Sequence, residues 1–323
     1  SSITSTSSIC SEFTPGTPFL SSIAAAIVGG HRLPPIITRR TKRFRQAYAA
    51  SRLSTSKVIS SAWGAPSDTL VRGRIGKVEL VFLPRHGKGH RLTPTDVPYR
   101  ANIAALKAAG CTDILSVSAC GSLQEQYAPG DFVAVDQFID RTFAREKTYF
   151  GAGMVAHVSM AQPVCARLSA LAADAVVAVG GTVHRGGTYL AMEGPQFSSL
   201  AESKLYRSWG CDVIGMTNMP EAKLAREAEL PYATVAMVTD YDCWREEVAA
   251  VSVTDVLKVL HGNAERAAAL VASLARRMAA SPRTPDPDGI DTCLDHAIIT
   301  APQHRDPALV ARLDAVAGRV LRA

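Results

Sequence analysis

Asp212-Val-Ile-Gly-Met-Thr-Asn-Met-Pro-Glu221 and Tyr232-Ala-Thr-Val-Ala-Met-Val-Thr-Asp-Tyr-Asp-Cys-Trp244 are the two halves of the stretch that decides the fold. The first half predicts a short apolar strand over residues 213–216, stopping at Thr217, with a helix from about Pro220. The second predicts an unbroken apolar strand over residues 232–238, ending in Asp240 and Asp242. In open α/β sheets, ligands bind just past the carboxyl ends of strands. Carboxylates on alternate residues there can point at one ligand. The competing reading makes them loop acids that cap the next helix, and spacing alone does not separate the two.

Outward from that stretch the pattern is regular. Residues 71–75 and 78–83 read as strands joined at Gly76-Lys77, residues 95–109 as a helix closed by Gly110, and residues 113–117 as a buried strand. Residues 131–138 form a further strand, 164–177 an Ala-rich helix, 188–192 a strand and 199–209 a helix. A long amphipathic helix runs over about 253–278. A Pro-rich linker at 282–291 leads to a final helix over 306–321, capped by Asp306 and opened by Pro307. Strands alternating with helices indicate an α/β fold, a single domain built on a mixed β-sheet flanked by helices. We divide the chain into an atypical segment (1–60), the main domain (61–280), and the linker with its C-terminal helix (281–323).

The first segment differs from the rest. Arg32, Arg39, Arg40, Lys42, Arg43, Arg45, Arg52 and Lys57 are balanced only by Glu12, so this segment accounts for all of the chain's net charge of +6. Its Ser-rich, acid-poor composition fits a disordered basic tail, an organellar targeting signal, or a stretch altered relative to its relatives. The remainder is close to neutral and has no basic bias toward nucleic acid. No apolar run reaches the roughly 20 residues of a membrane helix. The 7 cysteines are irregularly spaced, without a Cys-x-x-Cys pair, which argues against a disulfide framework or a zinc site and for a reducing, cytoplasmic setting.

Polar residues gather at the predicted strand exits: Arg85-His86, Ser118-Ala119, the 193–199 loop, Met216-Thr217, and Asp240 with Asp242. An arginine, a histidine, hydroxyls and backbone N–H groups at one sheet edge make a site for a phosphate-sized anion. Taken singly, each is as well explained as surface loop or core.

The motifs Pro-Arg-His-Gly-Lys-Gly-His at 84–90, Ser-Ala-Cys-Gly-Ser-Leu at 118–123, Met-Glu-Gly-Pro-Gln-Phe-Ser-Ser at 192–199, Gly-Met-Thr-Asn-Met-Pro-Glu at 215–221 and Thr-Asp-Tyr-Asp-Cys-Trp at 239–244 together carry a resemblance. From about Trp63 to the end of the long helix, the chain resembles the trimeric purine nucleoside phosphorylase family, in its methylthioadenosine phosphorylase branch. The resemblance implies a nucleoside phosphorylase-like fold and a pentosyl transfer: phosphorolysis of S-methyl-5′-thioadenosine to adenine and S-methyl-5-thioribose 1-phosphate, in purine and methionine salvage. Phosphate is then a co-substrate, and no metal or organic cofactor is implied. By matching position, Arg85, His86, Ser118, Ala119 and Thr217 hold phosphate. Asp240 donates to purine N7, and Asp242 accepts from the exocyclic amine, which favours adenine over hypoxanthine. Phe197 packs on the base and Met216 under the ribose. Val253, Val256 and His157 line the 5′ pocket, His157 serving a neighbour's site in a homotrimer.

Three positions depart from the family pattern. Ala26-Ile-Val-Gly-Gly-His-Arg-Leu33 is the nearest counterpart of a phosphate-cradling glycine turn, with His31 and Arg32 in place of the hydroxyl residue and the following glycine. Gln196 replaces an arginine of many relatives, and Gly215 stands where some carry asparagine. The alternatives are a phosphorylase of different base specificity, or a nucleoside-binding relative impaired by its N-terminal turn.

Overall fold

The computed structural model of the chain describes residues 60–245 and 253–322, with the backbone of two strands at 22–28 and 54–55; side chains before residue 60 and in most of 253–265 lie outside that description. The strands β1 (Ser22–Val28), β2 (Ser54–Thr55), β3 (Val71–Ile75) and β4 (Val78–Pro84) precede helix α1 (Tyr99–Ala108). Next come β5 (Asp113–Ser122), β6 (Phe132–Val135), β7 (Gln137–Asp140), α2 (Ala166–Ala178), β8 (Val183–Arg185) and β9 (Thr188–Ala191). The chain continues through α3 (Leu200–Ser208), β10 (Val213–Gly215), α4 (Glu221–Glu227), β11 (Tyr232–Asp240), α5 (Val253–Ala280), α6 (Pro307–Arg312) and α7 (Asp314–Leu321).

All the strands belong to one mixed sheet centred on β5. β11 runs parallel along one edge of β5, from Tyr232 opposite Ile114 to Asp240 opposite Gly121. The other edge is shared. Antiparallel β1 pairs up to Ser118, and antiparallel β10 takes over at Gly121 and Ser122. Ala119 and Cys120 therefore have no strand partner on that edge among the described residues, and the sheet opens there. Because β1 is antiparallel, its Ser22 end lies at this opening while Val28 pairs with Glu79 at the far end. Gly29 and Gly30, next in sequence, lie outside the described residues.

Helices cover both faces, which is why β11 is buried at nearly every position. Its side chains alternate between two cores. Tyr232, Ala236 and Val238 join Ile103 and Leu106 of α1 and Leu224 of α4, whereas Ala233, Val235 and Met237 join Leu168 of α2 and Leu270 and Leu274 of α5. The C-terminal region is part of the first core through Leu309, Leu313 and Val316. No helix among the described residues is long and apolar enough to cross a membrane.

Several predicted elements change length. β5 continues five residues past its predicted end, through Ser118-Ala-Cys-Gly-Ser122, because β11 and β10 supply partners there. The single strand predicted at 131–138 is two strands that part at Asp136: β6 pairs with β11 and β8, whereas β7 pairs with β9. The final helix divides around the fully buried Leu313, with the Asp306 carboxylate capping the Ala308 N–H at 2.9 Å as predicted.

Gly215 ends β10 where the Tyr189 side chain passes. A Cβ there would lie 1.9 Å from the Tyr189 hydroxyl. Tyr189 is fully buried and has no room to retreat. Gly215→Ala is therefore expected to destabilise the protein by about 1–3 kcal/mol. An unchanged thermal midpoint in calorimetry would contradict this packing.

Candidate active site

One side of the opening is built around a buried arginine. Arg85 follows β4 and is 0 % exposed. Its Nε and Nη2 donate to the two carboxylate oxygens of Glu221, at 2.7 and 2.9 Å. Nη2 also donates to Ser116 Oγ at 2.5 Å. Nη1 is buried without a partner among the described residues. Burial alone would lower the guanidinium pKa; Glu221 more than reverses this, so Arg85 stays charged. The Ser116 hydroxyl donates to Asn218 Oδ1 at 2.8 Å, and Asn218 Nδ2 donates to Ser118 Oγ at 3.2 Å. The Tyr232 hydroxyl lies 2.9 Å from Glu221 Oε1 and 3.1 Å from Asn218 Oδ1. Asn218 holds a left-handed backbone (φ 70°), which Asn tolerates better than most residues.

Two further predicted anion ligands adjoin this network. His86 Nδ1 lies 2.9 Å from the Leu92 carbonyl, which can only accept, so Nδ1 carries the proton. Its ring stacks on His90 with centroids 4.3 Å apart. Burial lowers its pKa to about 4, so the ring is neutral at neutral pH. Thr217 Oγ1 sits 3.5 Å from the Tyr189 hydroxyl. Ala119 lies on the open edge of β5, with its carbonyl facing Gly215.

The acids occupy the other side. The β11–β5 register slips between Val238 and Asp240, making Thr239 the extra residue of a bulge. Bulges re-aim side chains at strand ends. Asp240 Oδ1 accepts from the Asp242 N–H at 2.8 Å, and Oδ2 lies 2.6 Å from the Thr239 hydroxyl. Gly121 makes room, since a Cβ there would meet Asp240 Oδ1 at 2.9 Å. Burial raises the pKa of Asp240. Burial, with the charge of Asp240, likewise raises that of Asp242. Asp242 Oδ2 and the hydroxyl of Ser203 on α3 are both buried, and the Ser203 and Ser198 side chains offset part of the effect of burial on Asp242.

The remaining predicted residues divide. Met216 Sδ would be 2.5 Å from a Cβ on Gly194, so Met216 packs under the 193–199 loop, and the Cys243 thiol donates to the Ser198 carbonyl, joining that loop to the acids. Phe197 is 48 % exposed on the same loop. His157 lies elsewhere, on the exposed surface, lining a cavity of about 310 Å³ with Lys147, Lys223 and Glu227. Val253 and Val256 fall in the first turn of α5, and their side chains lie outside the described residues.

Sequence reading missed the residues that hold these groups in place. Glu221, Asn218 and Tyr232 orient Arg85 and Ser118. Arg145 donates to Tyr99 Oη and to the carbonyls of Met192, Glu193, Met216 and Met219, and pairs with Glu193 at 3.1 Å. Burial alone would raise the Glu193 pKa. Hydrogen bonds from Thr95, the Phe143 and Ala144 N–H groups and Arg145 bring it down to about 2. Glu221 offered one signal, an acid directly after Pro220 where a helix is predicted to begin. A buried arginine needs a counter-charge. Nothing local joins two residues 136 apart in sequence.

The sheet with its flanking helices, opened beside a buried cation and paired acids, belongs to a known class. The chain is a member of the phosphorylase superfamily, whose family model matches residues 42–276. At higher resolution, it is 62% identical over 264 residues to the S-methyl-5′-thioadenosine phosphorylase of Cereibacter sphaeroides, covering 82% of this chain and 91% of the relative. The enzyme of the same name from Rhodospirillum rubrum is 58% identical, covering 82% and 90%. Among solved structures, a methylthioadenosine phosphorylase from an Antarctic soil metagenomic library superposes with TM-score 0.76 at 44% identity, covering 83% of this chain and 92% of that one. Methylthioadenosine phosphorylase from Schistosoma mansoni, in complex with adenine, gives 0.72 at 37% identity, covering 75% and 91%.

Glu221→Gln leaves the Arg85 charge buried without its partner. The expected cost is about 3–5 kcal/mol of unfolding free energy, measured in urea. A loss within the range of ordinary surface substitutions would show that the pair is not needed.

Proposed function

We propose that this chain is a pentosyltransferase that cleaves S-methyl-5′-thioadenosine with phosphate, yielding adenine and S-methyl-5-thioribose 1-phosphate. One observation carries the reading. A buried cationic donor without a partner among the described residues, Arg85 Nη1, and a buried carboxylate, Asp242, flank the end of β5. The first suits an oxyanion and the second an exocyclic amine. The relatives named above point to the same reaction.

In this mechanism Arg85 Nη1 donates to phosphate. Ser118, which already accepts from Asn218, keeps its own proton to donate as well. The Thr217 hydroxyl and the Ala119 backbone complete the anion site. Neutral His86 presents bare Nε2 to a protonated phosphate oxygen. A phosphate oxygen bonds to C1′ of the ribose as the C1′–N9 bond breaks, its electron pair passing into the purine. Asp240, whose pKa burial raises, gives its proton to N7. Asp242 accepts from the 6-amino group and disfavours a 6-oxo base, which would set two acceptors face to face. Phe197 covers the base and Met216 lies under the sugar. Phosphate is the co-substrate, and the steps call on no metal or organic cofactor. The setting we assign is cytoplasmic purine and methionine salvage.

Adenine release from S-methyl-5′-thioadenosine should require phosphate. Asp240→Asn should lower kcat by about 10²–10⁴-fold. Phosphate-independent release, or an unimpaired Asn variant, would sink this mechanism.

The same reading makes the protein a homotrimer in which His157, Val253 and Val256 line the 5′ pocket, His157 across a subunit boundary. In support, His157 adjoins an apolar patch where Ile299 is 64 % exposed and Val155 41 %, the two joined by the Ile299 N–H to Val155 carbonyl bond. Sedimentation should give three chains per particle, and His157→Ala should raise KM for the methylthio nucleoside more than it lowers kcat. A fully active monomer would refute the shared pocket.

A further inference from the structure

Consecutive residues of a regular strand point to opposite faces of the sheet. Thr239 and Asp240 do not keep that rule, because the bulge turns both side chains together, hydroxyl to carboxylate at 2.6 Å. The Thr239 hydroxyl also lies 3.1 Å from the Cys120 carbonyl on β5. It has one proton and two oxygens to give it to. The Cys120 carbonyl can only accept, whereas Asp240 Oδ2 accepts when charged and donates when protonated. Oδ1 already accepts from the Asp242 N–H, so the acid proton belongs on Oδ2.

We propose that Thr239 is a positioning residue for the acid, its hydroxyl proton turning from the Cys120 carbonyl to the Asp240 carboxylate as Asp240 protonates the departing base. In the neutral acid, Thr239 donates to Cys120 and presents its lone pairs to Oδ2–H. When the base leaves, the Oδ2 proton goes to purine N7 and the O–H electron pair stays on Oδ2. The Thr239 hydroxyl then rotates about its C–O bond and donates to that oxygen. The carboxylate gains a second hydrogen bond at the moment its charge appears, which is where a preorganised donor is most effective. Among the described residues, the ionisable groups facing Asp240 are Asp242 on the same loop and the Cys120 thiol on β5; neither supplies a positive charge. Thr239 is thus the side chain that answers the new charge. This inference rests on Asp240 being the acid.

The test measures kcat and KM for S-methyl-5′-thioadenosine against pH in wild type, Thr239→Ser, Thr239→Val and Thr239→Ala. Without the hydroxyl, kcat should fall about 10–100-fold with KM within about threefold, and the alkaline limb of the kcat profile should move to higher pH because the carboxylate has lost its donor. Thr239→Ser should recover kcat to within about threefold of wild type and restore the limb. Thr239→Ala removes the hydroxyl without added bulk and carries the same expectation should Thr239→Val fail to fold. A hydroxyl-free variant with wild-type plateau and limb would overturn the proposal, as would a serine variant as impaired as valine. Asp240→Asn separates the two levels. If it is crippled while Thr239→Val is not, only the role of Thr239 falls; if it is unimpaired, the acid assignment falls and this proposal with it.

Discussion

The ion pair between Arg85 and Glu221 is the constraint around which the site is assembled. A guanidinium with no exposure to water is tolerated only beside a carboxylate that meets it in good geometry. Meeting that requirement brings the end of β4 against the start of α4. Ser116 of β5, Asn218 before α4 and Tyr232 of β11 then join the same network. Glu221 uses both oxygens on two of the three guanidinium nitrogens, and the third is left facing inward. The pair therefore sets both the location of the positive charge and the direction in which its spare donor points.

Across the end of β5 the treatment of charge is opposite. Asp240 and Asp242 are buried without a cation among the described residues, and burial shifts both toward the neutral form. Glu193, buried on the neighbouring loop, shows the contrast. Three donors and Arg145 hold it ionised, and it clamps the loop instead of exchanging protons. Like side chains thus take different duties according to the donors around them.

Much of the site was legible in order, though not in arrangement. The 232–244 stretch showed a buried strand ending in two acids, and the structure has that strand, extended to Asp240. The exits carrying Arg85-His86, Ser118-Ala119 and Met216-Thr217 do meet at one opening. The bulge at Thr239 was not legible, because an extra residue in a strand is defined by its partner's register. Nor was the opening at Ala119 and Cys120, which exists because β1 ends and β10 begins on the same edge of β5. Residues 22–28 belong to the atypical basic segment, yet their backbone pairs between β4 and β5 in the middle of the sheet.

By itself the amino-acid sequence determined the alternation of strands and helices, the apolar faces that form two cores, and the chemical inventory at the strand ends. These follow from local periodicity and from residue type, which a linear chain states directly. Tertiary structure alone decided which charge is neutralised and which is left available. Glu221 neutralises Arg85, whereas Asp240 and Asp242 are met by hydrogen bonds alone and burial raises their pKa values. The strength of a charge depends on what surrounds it within a few ångströms, and those neighbours come from positions far apart in the chain.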